Sequence, residues 1–416
     1  MIQAQGSVAR RRVFYIPGYD PFHPRRYREL YRTESAEQAR LRGYEIAVSA
    51  RPGARYGWNA ETTMEGTRTH AEVEVLVWSD IVKDSMEAGI LATYGQLIRT
   101  AAIYIGSGAL FRLMRLRIGP VIAALYPVGM LLLQLALALL VARIAGGVVA
   151  WGAGLAGLSG LPVTLLAWGL GLAATIPVFR WFRKQDKRFY AYYLMHDYAF
   201  SARWLGENPP ALEVRMAEFA DAVAEALSGD ADEVLVVGHS SGAHLAVSVL
   251  ADLLRQGRVP EDGPVLSFLS LGQVIPMVSF LPKASRLRAD LHLLCQSDRI
   301  SWVDVTAPGD GCAFALCDPV AVSGVRPESG QRGPLILSAA FTQTLLPETW
   351  KRLKRRYFRL HFQYLCAFDN LPDSSGAYDY FAVTAGPRTL AHRFAARKPS
   401  KSRIDVAASG YTTIAP

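Results

Sequence analysis

The sequence predicts a mixed α/β domain with a mostly parallel sheet covered by helices on both faces, interrupted by an inserted hairpin of two transmembrane helices. Three observations carry this expectation. A short apolar strand over 233–237 runs through Gly238-His239-Ser240-Ser241-Gly242 into a small-residue helix start. Apolar runs of strand length alternate with helical patterns on both sides of the chain's middle, the pattern of crossover connections and parallel pairing. Between Ile118 and Phe179 the only formal charge is Arg143.

In chain order, 12–16 reads as a strand closing on Pro17-Gly18-Tyr19-Asp20, and an arginine-rich helical segment follows over 24–41. Residues 44–49 and 72–78 alternate or run apolar as strands do. From 81 to 116 the pattern is helical and basic, suited to an amphipathic piece lying on a membrane surface. Helices are expected at 189–204 and at 212–227, the second with Pro209-Pro210 just ahead of it. Later strand candidates are 265–271, 290–295, 301–305 and 334–339, followed by a helix over 347–365. The division this implies is an N-terminal part of the α/β domain over 1–100, a membrane insertion over 101–188, a C-terminal part over 189–394 and a flexible tail over 395–416.

Residues 119–142 are enough for about 36 Å of helix against a hydrocarbon thickness of about 30 Å. The uncharged stretch that follows, 144–179, is too long for one helix and contains Gly146-Gly147, further glycines and Pro162. The second span is therefore expected at 161–179, with the glycine-rich stretch as a loop or as an interfacial or re-entrant piece. An arginine at mid-bilayer costs roughly 2.5 to 3.5 kcal/mol even on lenient scales, which puts Arg143 at an interface, marking the turn. Gln134, inside the first span, is expected to donate a hydrogen bond to another helix. Arg112, Arg115 and Arg117 precede the spans, while Arg180, Arg183, Lys184, Lys187 and Arg188 follow them. Positive charge on both flanks implies an even number of crossings, and hence a multi-pass protein of the inner (cytoplasmic) membrane with its α/β domain on the cytoplasmic side. The apolar run after Arg10-Arg11-Arg12 is too short for a secretory signal.

The net charge of +9 raises the possibility of nucleic acid. The surplus, however, lies beside the spans and in 351–359, without the aromatic interleaving or motif of a nucleic-acid binder, so no nucleic acid is expected. Anionic lipid headgroups are one counter-charge for 351–359, and an ordinary solvated helix face is the other. Cys295, Cys312, Cys317 and Cys366 have neither paired spacing nor neighbouring histidines at metal-site distances, and read as free thiols.

The spacing around Ser240 has a physical reason. A serine at the apex of a sharp strand-to-helix turn sits in a strained backbone, and side chains two residues to either side would collide unless very small. Gly238 and Gly242 meet that need. The turn also aims the Ser241 amide and the helix N-terminus at the place where a tetrahedral oxyanion would form. Ser240 is the candidate nucleophile.

On this elbow the chain resembles the α/β-hydrolase superfamily, as a serine esterase or lipase-like, membrane-anchored bacterial-type member, from about Arg12 to Arg393 apart from the insertion. The resemblance implies an elbow after the fifth strand and a second oxyanion donor in a loop after an earlier strand. That loop is Pro17-Gly18-Tyr19, with Gly18 allowing close approach and Tyr19 as donor; the family's usual His-Gly is replaced here by Pro-Gly. It also implies the order Ser, acid, His. Asp310, in the loop beyond strand 301–305, is the chosen acid; Asp304, within the strand, is second and Asp298 third. His361 is the chosen base over His392, while His239 and His244 are read as structural. The implied chemistry is an acyl-enzyme formed on Ser240 and released by water, needing neither a metal nor an organic cofactor. The expected substrate is an acyl ester or thioester, lipid-like if membrane location guides it. The alternative is a non-catalytic membrane scaffold that keeps the same framework.

Overall fold

The computed structural model describes residues 6–53, 55–86, 89–373 and 376–415. The chain divides into two units, the first comprising 1–84, 104–121 and 204–416, the second 85–103 and 122–203.

The first unit is built on eight strands: β1 (Arg10–Ile16), β2 (Glu45–Ala50), β3 (Gly57–Met64), β4 (Thr67–Val75), β5 (Glu233–His239), β6 (Val265–Leu271), β7 (Ile300–Thr306) and β8 (Leu335–Ser338). They form one sheet in the order β2-β3-β4-β1-β5-β6-β7-β8. β3 is antiparallel to its neighbours β2 and β4, and every pairing from β4 to β8 is parallel. Every residue of β5 is buried, as a central strand covered on both faces requires. Val13, Tyr15, Leu235, Val237, Leu269, Leu271, Val303 and Val305 share one face, packed with Tyr27 and Tyr31 of helix α1 (Arg25–Arg42) and with Leu360, Tyr364 and Phe381. Phe14, Ile16, Val234 and Val236 point to the other face, where helix Gly242–Arg255 packs on β5 and β1.

Four sequence expectations change here. Strand β3 was not anticipated: its buried face, Trp58, Ala60, Thr62 and Met64, has only two large apolar residues, and its hairpin closes through Glu65 and Gly66, both at positive φ (53° and 75°), a turn marked by Glu-Gly in place of the usual Asn-Gly. Residues 290–295 belong to helix Ser285–Leu294, whose buried Leu287, Leu291 and Leu294 recur at helical spacing. The helix expected over 347–365 is broken into Pro347–Leu353, Tyr357–His361 and a 3-10 turn at Gln363–Leu365. Residues 400–413, expected as loose tail, lack regular structure yet are tied down: the Ile404 amide donates to Leu316 O at 2.8 Å, Ile404 O accepts from the Asp318 amide at 2.9 Å, and Thr413 O accepts from Arg288 Nε at 2.9 Å.

The intervening helices are α2 (Ser79–Met86), α3 (Ile90–Gly106), α4 (Ala109–Leu116), α5 (Ile118–Leu155) and α6 (Leu161–Lys184). Among the described residues α5 and α6 are long and apolar enough to cross a membrane, with mean hydropathy 2.2 and 1.7; the α3–α4 pair, bent by 74°, would count as a third if taken as one span. In the second unit Leu97 of α3, Leu131 of α5, and Tyr192, Met195 and Ala199 of helix Ala191–Arg203 form a small core. Gln134 Oε1 accepts from Tyr192 OH at 3.0 Å, an interhelical bond in which the glutamine is acceptor, not donor as expected.

The glycine-rich stretch is not a loop. α5 continues unbroken through Gly146 and Gly147 to Leu155, 38 residues and about 57 Å long, and the turn falls at 156–160. In a membrane-spanning helix no water can satisfy a freed amide, so there leaving the helix would cost more than the roughly 1 kcal/mol per residue of poor glycine propensity. Small residues instead bring α5 and α6 together: a Cβ on Gly146 would lie 2.9 Å from Ala167 O, and one on Gly171 2.6 Å from Ala142 O. Ala142 and Gly146 thus meet Ala167 and Gly171, two small-x-x-x-small pairs face to face. Arg143, exposed and next to this crossing, lies level with the middle of α6 and does not mark the turn.

Candidate active site

The carboxyl ends of β1, β5, β6 and β7 converge on one corner of the sheet, where open parallel sheets place their ligands. Ser240 follows β5 in the left-handed region, φ 57°, a strained conformation for a non-glycine residue, and its side chain is half-buried. The flanking glycines are obligatory. A Cβ on Gly238 would lie 2.7 Å from Ala243 Cα, and one on Gly242 would lie 2.1 Å from Ile16 O and 2.7 Å from Pro17 O. Ser241 caps helix Gly242–Arg255, and among the described residues its amide, at the positive end of the helix, donates to no acceptor.

The loop after β1 lies directly against the serine. A Cβ on Gly18 would fall 2.9 Å from Ser240 Cβ and 3.3 Å from its Oγ, so only glycine fits. This loop is held from three directions. Trp78 Nε1 donates to Pro17 O at 2.9 Å, and the Tyr19 ring packs edge-on to Trp78. Buried Asp20 accepts from the Phe22 amide at 2.9 Å and from Tyr27 OH, and pairs with Arg26 at 3.2 Å.

His361 ends helix Tyr357–His361 and is buried; its Nδ1–H donates to Asp310 Oδ2 at 2.7 Å, which fixes the tautomer and leaves Nε2 as the free basic nitrogen. Asp310 is also buried, and its carboxylate accepts from the Cys312 amide at 2.9 Å and from Tyr364 OH at 3.0 Å. Burial alone would raise the Asp310 pKa; the charge and hydrogen bond of His361, with these two donors, outweigh it and hold the carboxyl below its ordinary range. Gly272, after β6 at φ 51°, leaves room for the imidazole: a Cβ there would meet His361 Cε1 at 3.1 Å and Tyr364 Cε2 at 2.7 Å. Because the Ser240 amide donates to Leu271 O at 2.9 Å, serine and imidazole flank the same Leu271–Gly272 step. Among the described residues they make no hydrogen bond to one another, a contact that commonly tightens only when substrate binds.

The other candidates lie elsewhere. Asp304 is buried inside β7, where it accepts from Ser270 Oγ at 2.5 Å and burial pushes its pKa up to about 8. Asp298 is exposed before β7, at the opposite edge, and the His392 ring lies beside Gly6, ahead of β1. His239 Nε2–H donates to His361 O at 3.0 Å, and burial with the nearby His361 charge drives its pKa down to about 3, so it is a neutral prop for the helix carrying His361. His244 is likewise neutral, pushed to about 4 by burial. Asp310, Cys312 and His361 have donor atoms within 4.8 Å of one another, the types a metal would take, but Asp310 Oδ2 and His361 Nδ1 are already committed to each other.

Sequence reasoning missed Tyr364, Gly272 and Asp20. Tyr364 carried a signal, since it lies three residues beyond His361 in the same patterned segment; Gly272 and Asp20 act through loops whose convergence no local pattern reveals. Comparison with protein-family models, curated proteins and solved structures yields no match to this chain.

Proposed function

We propose that this protein is a membrane-anchored serine hydrolase of α/β-hydrolase type that cleaves acyl esters or thioesters. The observation that carries the reading is the His361–Asp310 pair, hydrogen-bonded and buried, beside a strained, half-exposed Ser240 at the same sheet corner. The elbow follows the fifth strand, and the Gly18 loop lies on the serine, both as the resemblance implies. In this mechanism His361 Nε2 takes the Ser240 proton as Oγ attacks the acyl carbon, and Asp310 stabilises the imidazolium. The amides of Ser241 and Tyr19 receive the oxyanion. The proton passes to the leaving group, and water attacks the acyl-enzyme through the same base.

A parity argument supports two crossings. β1 precedes the hairpin and β5 follows it, yet they are hydrogen-bonded neighbours over six residue pairs, so both lie on one side of any membrane. An odd number of spans would separate them, which leaves α3 and α4 on the surface and favours α5 and α6 as the pair that crosses. Basic residues on both flanks favour the cytoplasmic side.

Fluorophosphonate labelling of the full chain, wild type against Ser240→Ala, tests the activity. Labelling of wild type alone is expected. Equal labelling of both, or of neither in folded protein, removes the enzyme reading and favours a scaffold.

A further inference from the structure

We propose that the surface formed by Lys351, Arg352, Lys354, Arg355, Arg356 and Tyr357 docks on an anionic lipid leaflet, so that the site draws its acyl substrate from that leaflet. This rests on the hydrolase reading above and names its substrate class.

The first observation is charge. All five cations are exposed, and among the described residues none is paired with a carboxylate. In α1, by contrast, Arg26, Arg28, Arg32, Arg40 and Arg42 each have an acidic partner. Five uncompensated cations within six residues need an external counter-charge, and each one close to an acidic bilayer adds binding that falls off within a Debye length.

The second observation is position. Gly311, next to Asp310, is held between two elements. A Cβ on Gly119, in the first turn of α5, would lie 3.3 Å from Gly311 Cα, and a Cβ on Gly311 would lie 3.2 Å from Tyr357 Cδ1. Arg117 Nε adds a bond to Ala315 O at 2.7 Å. The acid loop, the end of the basic run and the root of α5 are therefore one neighbourhood. α5, apolar enough to cross a membrane, begins in this neighbourhood. Tyr357 is 59% exposed and Phe358 37%, while α4, just before α5, exposes Phe111 at 53% and Met114 at 40%. Aromatic and apolar side chains beside unpaired cations fit the headgroup boundary. Four residues after Tyr357 comes His361.

The test uses the full chain reconstituted in vesicles of phosphatidylcholine alone or mixed with phosphatidylglycerol. Two substrates are compared, a long-chain fluorogenic ester held in the bilayer and a short water-soluble ester. Wild type is expected to cleave the bilayer ester roughly tenfold faster with phosphatidylglycerol, the gain disappearing at high salt. The variant Lys351→Ser/Lys354→Ser/Arg355→Ser/Arg356→Ser should lose that gain while still cleaving the soluble ester. Slower amide hydrogen exchange over 351–358 in phosphatidylglycerol vesicles is the readout that does not depend on activity. Indifference of wild type to phosphatidylglycerol in both exchange and bilayer turnover, or an unchanged gain in the variant, overturns the proposal. If neither ester is cleaved and Ser240 is not labelled, the hydrolase reading fails, and exchange alone then decides whether the surface docks.

Discussion

Gly242 in the elbow and Gly171 in the hairpin are glycines for the same immediate reason: a carbonyl oxygen occupies the place of a side chain, 2.1 Å and 2.6 Å from where a Cβ would stand. The settings differ. At Gly242 the oxygen belongs to Ile16, at the end of a strand whose amides and carbonyls are locked in a ladder on both sides, so neither partner can retreat. At Gly171 the oxygen belongs to Ala142, on a helix whose backbone, among the described residues, makes no hydrogen bond to its neighbour. The elbow is over-determined from every direction, while the hairpin rests mainly on one small-residue crossing. Rigidity is concentrated at the sheet corner that carries Ser240.

That contrast is sharpened first at the acid. Asp310→Asn keeps the shape of the corner but removes the charge that fixes the His361 tautomer, and a loss of about 10⁴-fold in kcat with the protein still folded is the expected result. Stability should separate the two proteins at low pH. The folded-state pKa of Asp310 is depressed, so its contribution is present above the ordinary carboxylate value and is lost as pH falls through the lower folded value. Thermal unfolding of wild type should therefore fall across that acid window, and the asparagine variant should lack this component of the decline. A kcat within tenfold of wild type would mean that the pair at 2.7 Å is structural.

The next largest effect belongs to the hairpin. Arg143 is exposed, level with the middle of α6, and has no partner among the described residues. Arg143→Leu should favour insertion by roughly 2.5 to 3.5 kcal/mol, read as a shift in the inserted fraction in a glycosylation-site assay. A drop in insertion would mean that the arginine meets a partner in the bilayer.

How far the sequence could be read follows the same division. The strands that flank the site are buried on both faces or alternate cleanly, and Ser240 announced itself because strand, glycines and helix are contiguous. The placement of Asp310 and His361 depended on chain order and on strands 301–305 and 334–339, which fall on β7 and β8. In the hairpin the rule that glycine clusters break helices misled, because it describes a backbone with water available. β3 escaped because, of its buried face, only Trp58 and Met64 are large and apolar, with Ala60 and Thr62 between them, so the period is faint. The docking surface was half legible: the charges were plain, but not their position beside the acid loop, which arises from Gly119, Gly311 and Tyr357 meeting across distant segments.

The comparison itself is decided by matched substitutions, the smaller effect of the pair falling in the hairpin. Gly242→Ala and Gly171→Ala each add one methyl group against a carbonyl oxygen. Overpacking of this kind costs about 1 to 3 kcal/mol where the surroundings are fixed, and less where they yield. Gly242→Ala should stand at or above the top of that range and abolish Ser240 labelling, because moving Ile16 O would disturb the pairings of β1 with β4 and β5. Gly171→Ala should cost about 1 kcal/mol or less and leave labelling intact, since separating two helices by a few tenths of an ångström breaks no backbone hydrogen bond. Denaturant or heat titration of the reconstituted chain, with labelling followed in parallel, measures both. Equal costs would show that the hairpin is as tightly fixed as the elbow, and loss of labelling in Gly171→Ala would show that its packing reaches Ser240.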